Sequence, residues 1–180
     1  MKGQPDGLKL SPDKVTIRRG GRELAKVVRL PKPEPAPVVK LYLSDLNEFG
    51  WAGFAFHNNW EGTANGVKYT KAVFMHPPRD GSSRIKYRLN NLDAYAFEAK
   101  VAILDSVPAG SATPLTFQVV GDGKVLWSSK LIQAKGDTQD CRVPVEGIDV
   151  LELRVVCPGP HSYAHAVWLD PYVLSNKRKP

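Results

Sequence analysis

Between Lys40 and Leu174 the chain is a succession of short apolar or alternating runs, each cut off by turn-forming residues, and no stretch keeps a helical period. The runs fall at 41–43, 69–74, 85–89, 95–104, 115–119, 125–127, 141–145, 150–156 and 166–174. Fifteen glycines and fifteen prolines in 180 residues supply the punctuation between them. Eight or nine short strands at regular spacing predict an all-β fold, an antiparallel β-sandwich. Two hairpins are expected. One joins 115–119 to 125–127 around Gly121-Asp-Gly123, and the other joins 141–145 to 150–156 around Glu146-Gly147. Cys141 and Cys157 flank the second, but simple register would pair 141 with about 154. A bridge needs Cα atoms within roughly 7 Å, so two buried free thiols are expected in place of a disulfide.

The N-terminal quarter has a different character. Residues 1–40 carry ten Lys or Arg against four acids and no aromatic residue, whereas all sixteen aromatics lie from Tyr42 to Tyr172. Of the total charge of +7, the first forty residues hold +6 and Lys177, Arg178 and Lys179 hold +3, which leaves −2 for residues 41–176. Nucleic-acid grooves interleave cations with aromatic platforms, and here the two are segregated, so no nucleic-acid partner is expected. Residues 14–30 read as a hairpin turning at Gly20-Gly21. Pro31 to Pro37 alternates proline with other residues, a semi-rigid spacer of roughly 20 Å. The expected division is therefore a basic tail, hairpin and linker over 1–39, a sandwich over 40–174, and a basic tail over 175–180. No window approaches the apolar length of a membrane-spanning helix, and the first residues lack the apolar core of a signal peptide.

Catalytic motifs are missing from the sequence. There is no Gly-x-Ser-x-Gly elbow, zinc-binding His-Glu-x-x-His or phosphate loop, and no carboxylate pair stands out, so no enzyme is expected. His161 and His165 would share a metal on a helix. After Pro158-Gly-Pro160 they read as loop running into strand, where that spacing is about 13 Å. The informative segment is 47–67, read as a loop, which displays Trp51, Phe54, Phe56, His57, Asn58, Asn59 and Trp60. Rings of this kind stack on the C–H face of a pyranose while amides and imidazoles take its hydroxyls. Alternatively, the same aromatics close one end of the core.

An ordered set of motifs then points to a family. Leu41-Tyr-Leu-Ser-Asp-Leu46, Gly66-Val-Lys-Tyr69, Phe74-Met-His-Pro77 and Ile85-Lys-Tyr-Arg-Leu89 come first. Phe117-Gln-Val-Val-Gly-Asp-Gly-Lys-Val-Leu-Trp127, Val150-Leu-Glu-Leu-Arg-Val155 and His165-Ala-Val-Trp-Leu-Asp-Pro171 follow. Across residues 40–174 this order resembles the NPCBM carbohydrate-binding modules, related to carbohydrate-binding module family 51. The resemblance implies a galactose-binding-like jelly roll without catalytic activity, and a glycan partner of galactose-containing type. It also implies attachment to another domain such as a glycoside hydrolase, a secreted or cell-surface location, and a structural calcium. By position it matches His76, Tyr87, Asp122, Gly123 and Trp168 to family residues. Asp45 and Asp170 are the acids to consider for calcium. The expected sugar contacts are stacking on Trp51 or Trp60 and hydrogen bonds from His57, Asn59, His76 and Arg84. The second reading is a protein–protein interaction or sensory module of a bacterial multidomain protein.

Overall fold

The computed structural model describes residues 9–11, 14–20, 22–27 and 38–176; of the strands before residue 28 and of residues 55–59 it describes the backbone but not the side chains. The proline-rich segment 31–37 and the C-terminal residues 177–180 lie outside the described residues. The chain divides into two compact units, Met1–Pro35 and Ala36–Pro180. In the first, β1 (Lys9–Ser11), β2 (Lys14–Arg19) and β3 (Arg22–Val27) form an antiparallel sheet in that order. The expected hairpin is there, and β1 adds a third strand to it.

The second unit is a β-sandwich. It contains β4 (Val39–Tyr42), a short 3-10 turn (Leu43–Asp45), β5 (Glu48–Ala52), β6 (Phe54–Ala64), β7 (Val67–His76), β8 (Gly81–Arg88) and β9 (Ala94–Ile103). The later strands are β10 (Thr116–Gly121), β11 (Lys124–Ser128), β12 (Thr138–Pro144), β13 (Val150–Cys157) and β14 (Ala166–Ser175). One sheet runs β11-β10-β13-β8-β5. The other runs β12-β9-β14-β7-β6, with β4 paired to the far end of β14. All pairings are antiparallel.

Period-two alternation turns Ile85, Tyr87, Phe117, Val119, Leu151, Leu153 and Val155 of the five-stranded sheet inward. They meet Val73, Met75, Phe97, Val101, Ile103 and Trp168 of the six-stranded sheet. Trp168 is fully buried at the centre. Phe117 stands edge-on to it at 5.3 Å and Phe97 at 6.1 Å, with the Trp127 ring 6.3 Å away.

The hairpin of β10 and β11 forms as expected. Asp122 and Gly123 both take positive φ (47° and 81°), the backbone of a tight two-residue turn. The Asp122 carboxylate also accepts the backbone N–H groups of Asp149 (3.2 Å) and Val150 (2.9 Å), which ties this turn to the start of β13. The expected hairpin of 141–145 with 150–156 does not form. β12 pairs with β9 and β13 with β8 and β10, so the two segments enter opposite sheets. Each carries alternating apolar residues that bury equally well in either sheet, and the intervening turn does not compel them to pair. Cys141 and Cys157 are consequently in different sheets, both free and buried, and burial pushes the Cys141 thiol up to about 12.

The segment 47–67 is likewise not a loop. It forms β5 and β6, edge strands of the two sheets, joined at Gly53. Its aromatic residues suit a pleated, half-buried surface, and this outweighs its glycines and asparagines. Gly53 has φ +74°, and a Cβ there would lie 2.3 Å from Ser83 Oγ and 2.9 Å from Ser83 Cα. Both the backbone conformation and the close approach demand glycine. Gly53→Ala is expected to lower stability by at least about 1–2 kcal/mol, read from the denaturant midpoint; an unchanged midpoint would refute the stated role of this turn.

Candidate functional site

β7 and β14 lie side by side, with Phe74 opposite Val167 and Met75 opposite Ala166. Because Val73 and Met75 point into the sandwich, Ala72, Phe74 and His76 fall on the outer face of the six-stranded sheet. There Ala72 and Phe74 join Ala64, Ala102, Leu104, Val167 and Leu169 in a second apolar cluster, partly covered by Trp60 and Tyr69. Trp60 comes from β6, opposite Ala72. Its indole stacks on Phe74 at 5.2 Å and 24°. Gly62, two residues along the same strand, is what lets it lie there, since a Cβ at 62 would come within 2.3 Å of the indole ring.

The outer face continues into the loop that leads to β14. That loop is held at several points: Gly159 C=O accepts from Asp80 N–H at 3.1 Å, the Thr113 hydroxyl donates to the Ser162 carbonyl, and Ala164 N–H donates to the His161 carbonyl at 3.0 Å. Held this way, it brings both His161 and His165 against His76, with ring centroids 5.7 and 5.5 Å away. His165 in turn stands edge-on to Phe74 at 5.8 Å, Tyr163 edge-on to His165 at 6.1 Å, and Phe54 edge-on to Phe74 at 6.4 Å. The result is an unbroken line of rings, His161–His76–His165–Phe74–Trp60, flanked by Tyr163 and Phe54, which are 45% and 52% exposed.

At the Trp60 end the line opens into a pocket of about 380 Å³ bounded by Trp60, Glu61, Gly62, Thr63, Lys68, Leu104 and Ser106, with Glu61 ion-paired to Lys68. Ser106 Oγ lies 3.4 Å from His165 Nδ1, which connects the pocket to the imidazoles. Chemically, the line offers flat apolar faces for stacking and, at the neutral imidazoles, one donor and one acceptor each. Among the described residues no group of three or more His, Cys, Asp or Glu is placed to hold a metal ion, so the three histidines are not gathered as ligands.

Two of the residues named from sequence, Trp60 and His76, are thus brought onto one surface. Trp51 and Arg84 are in the other sheet. Trp51 pairs with Ile85 on the edge strand β5 and is 67% exposed, and Arg84 pairs with Ala52. His57 and Asn59 sit on β6 between Phe56 and Trp60, where the register with β7 shifts, and their side chains lie outside those described. Asp45, in the 3-10 turn, is ion-paired with Lys71. Asp170 interrupts β14 at a register shift and has φ 45°. Sequence reasoning placed Phe54 with Trp60 in one aromatic segment but missed Phe74, His161, Tyr163 and His165 as members of the same surface. The available signal was three histidines bordering predicted strand ends, but which ends meet is decided by the sheet order.

Residues 40–174 match the family model described as NPCBM/NEW2 domain. Among solved structures the chain is similar to CBM51 from Clostridium perfringens GH95 in complex with methyl-galactose. The identity is 25% and the TM-score 0.63, covering 75% of this chain and 99% of that one. It shares its fold with the tandem CBM51 modules of the family 98 glycoside hydrolase from Streptococcus pneumoniae SP3-BS71 (20% identity, TM-score 0.63, 76% of this chain and 47% of that one). It also shares it with the CBM51-2 and INT domains from Clostridium perfringens ZmpB in complex with GlcNAc (19%, TM-score 0.64, 76% and 32%). The chain therefore spans one of these structures almost entirely and under half of the other two. No curated protein matches the sequence.

Burial lowers His76 and His165 below the ordinary imidazole value of 6.5, and the neighbouring His165 and His161 lower His76 further. Among the described residues no carboxylate faces these rings to offset that effect. A histidine harder to protonate in the folded state than in the unfolded one contributes stability that is fully present above pH 6.5 and lost as pH falls through the lowered folded value. The melting temperature should therefore fall as pH drops below 6.5, with a shallower slope in His76→Gln and His165→Gln. A wild-type slope retained in both variants would contradict this account.

Proposed function

Because this chain belongs to the NPCBM/NEW2 domain family across residues 40–174, we propose that its sandwich is a non-catalytic carbohydrate-binding module whose sugar contact is the ring line around Trp60 and His76. The observation that carries this reading is the continuity of that line. A stacked indole, two exposed aromatic rings and a set of imidazoles follow one another ring to ring along one surface, and the indole at one end borders an open pocket. A pyranose needs that combination, with apolar faces for its C–H groups and neutral donors and acceptors for its hydroxyls. The methyl-galactose held by the Clostridium perfringens structure supports a galactose-containing glycan as the ligand. Similar modules occurring within longer chains support tethering to another domain, such as a glycoside hydrolase, and action outside the cell or at its surface. In this reading the segment before residue 40 is the attachment.

Trp60→Ala removes both a stacking face and a half-buried aromatic pair, so it should cost about 1 kcal/mol of stability as well as glycan retention. His76→Ala leaves the Trp60–Phe74 stack in place and tests the sugar contact more cleanly. On a glycan array both variants should lose the galactoside signals that the wild-type chain retains. Retention by both would move the site elsewhere, and no wild-type signal on any glycan would favour the protein-interaction reading.

The calcium that the resemblance implies would need donors beyond the two acids named for it. Asp45 is engaged by Lys71, and burial raises the Asp170 carboxyl above its usual range. We infer that the fold does not depend on an ion held by this pair. Prolonged dialysis against EDTA should leave the melting temperature unchanged, and a drop restored by added calcium would overturn the inference.

A further inference from the structure

At the opposite end of the same sheet face lies a second pocket, of about 440 Å³, built from Tyr69 of β7, Glu98 and Lys100 of β9, Asp140 and Arg142 of β12, and Asp170 and Tyr172 of β14. Most of its polar groups already have partners. The Tyr172 hydroxyl donates to Glu98, which also receives Arg142 Nε at 3.3 Å, and Lys100 Nζ lies 3.2 Å from Asp140. Lys40 Nζ sits 4.2 Å above the Tyr172 ring, whose flank meets Tyr42 edge-on at 5.7 Å. Two groups are left over. Among the described residues neither the Asp170 carboxylate nor the Tyr69 hydroxyl has a hydrogen-bond partner. The Tyr69 ring is only partly covered by the outer apolar cluster.

Asp170 also has a backbone conformation uncommon inside a strand. It takes φ 45° within a strand, at the bulge where β14 slips against β9 between Leu169 and Tyr172. The charges select the ligand class. The lining sets three acids (Glu98, Asp140, Asp170) against Lys100 and Arg142, and Lys40 outside it acts on the Asp170 charge, so the charges largely offset one another. An unpartnered carboxylate acceptor beside an accessible phenol ring suits a neutral polyol: vicinal hydroxyls donate to the carboxylate while a C–H face rests on the ring.

We propose that this pocket is a second glycan subsite, taking a neutral pyranose on Tyr69 and Asp170 independently of the ring line at Trp60 and His76. The proposal rests on the reading of the domain as a carbohydrate-binding module and extends it to two contacts on one face, an arrangement that favours extended or clustered glycans.

The test is a nitrogen-15 amide titration of the full chain with methyl-galactose and, separately, with N-acetylglucosamine. At least one sugar should shift the amides of Tyr69, Lys100 and Asp170 along a saturable curve. Asp170→Asn keeps a residue that tolerates the left-handed backbone, and Tyr69→Phe removes only the hydroxyl. Asp170→Asn should weaken that curve by about tenfold, the worth of one hydrogen bond to a charged group. Tyr69→Phe, which keeps the stacking ring, should weaken it less, and both should leave the shifts around Trp60 and His165 unchanged. Shifts confined to Trp60 and His165 would overturn the second subsite and leave the first. Shifts confined to Tyr69, Lys100 and Asp170 would do the reverse, and shifts at neither set with either sugar would overturn both. Equal weakening of both sets in Asp170→Asn would show that the two contacts are not independent.

Discussion

The six-stranded sheet is apolar on both faces along its middle strands, and the rest of the domain is arranged around that constraint. Ala72-Val73-Phe74-Met75 of β7 is buried at every position, as are Ala166 to Leu169 of β14. Alternate residues go to the central core with Trp168 and to the outer cluster with Phe74. The five-stranded sheet covers the inner face completely. Among the described residues of the sandwich, Trp60 and Tyr69 cover the outer face in part, and its margins hold rings and polar groups.

Carboxylates fix the turns that hold this surface in place. Asn65 and Gly66 take φ 52° and 73° at the hairpin between β6 and β7, and both backbone N–H groups donate to Asp105, at 3.1 and 2.8 Å. That hairpin sets the register in which Gly62 faces Tyr69 and Trp60 faces Ala72. Asp122 performs the same service between the β10–β11 turn and β13. Both acids work by satisfying backbone donors that positive-φ turns leave unpaired, so their part in the site is indirect: they place the strands, and the strands place the rings.

Local chemistry was legible where a segment has a single good solution. The Gly121-Asp-Gly123 hairpin, the alternation of β8 and β13, and the near-continuous apolar character of β7 and β14 are all visible in the chain. Where a segment has two solutions, it was not. The strands at 138–144 and 150–157 are amphipathic enough to pair with each other, yet each finds a longer partner in a different sheet. The stretch from 47 to 67 carries both turn formers and strand formers, and packing against β7 and β8 decided for strand. Within the candidate site, Trp60 and His76 stand out in the sequence, and the structure brings them onto one surface. His161, Tyr163 and His165 could not be grouped with them, because some 85 residues of chain separate His76 from His161 and only the adjacency of β7 and β14 closes that gap.

By itself the sequence determined the fold class and the division of charge, which depend on periodicity, turn residues and composition, all of them local, while the order of its motifs carried the resemblance to the family. The tertiary structure alone decided which side chains share a face. A strand's alternation says that successive residues part company across the sheet, but not which strand lies alongside. That choice is made by the burial of two sheet faces at once, and it is what aligned the imidazoles with Phe74 and Trp60, and left Asp170 beside Tyr69.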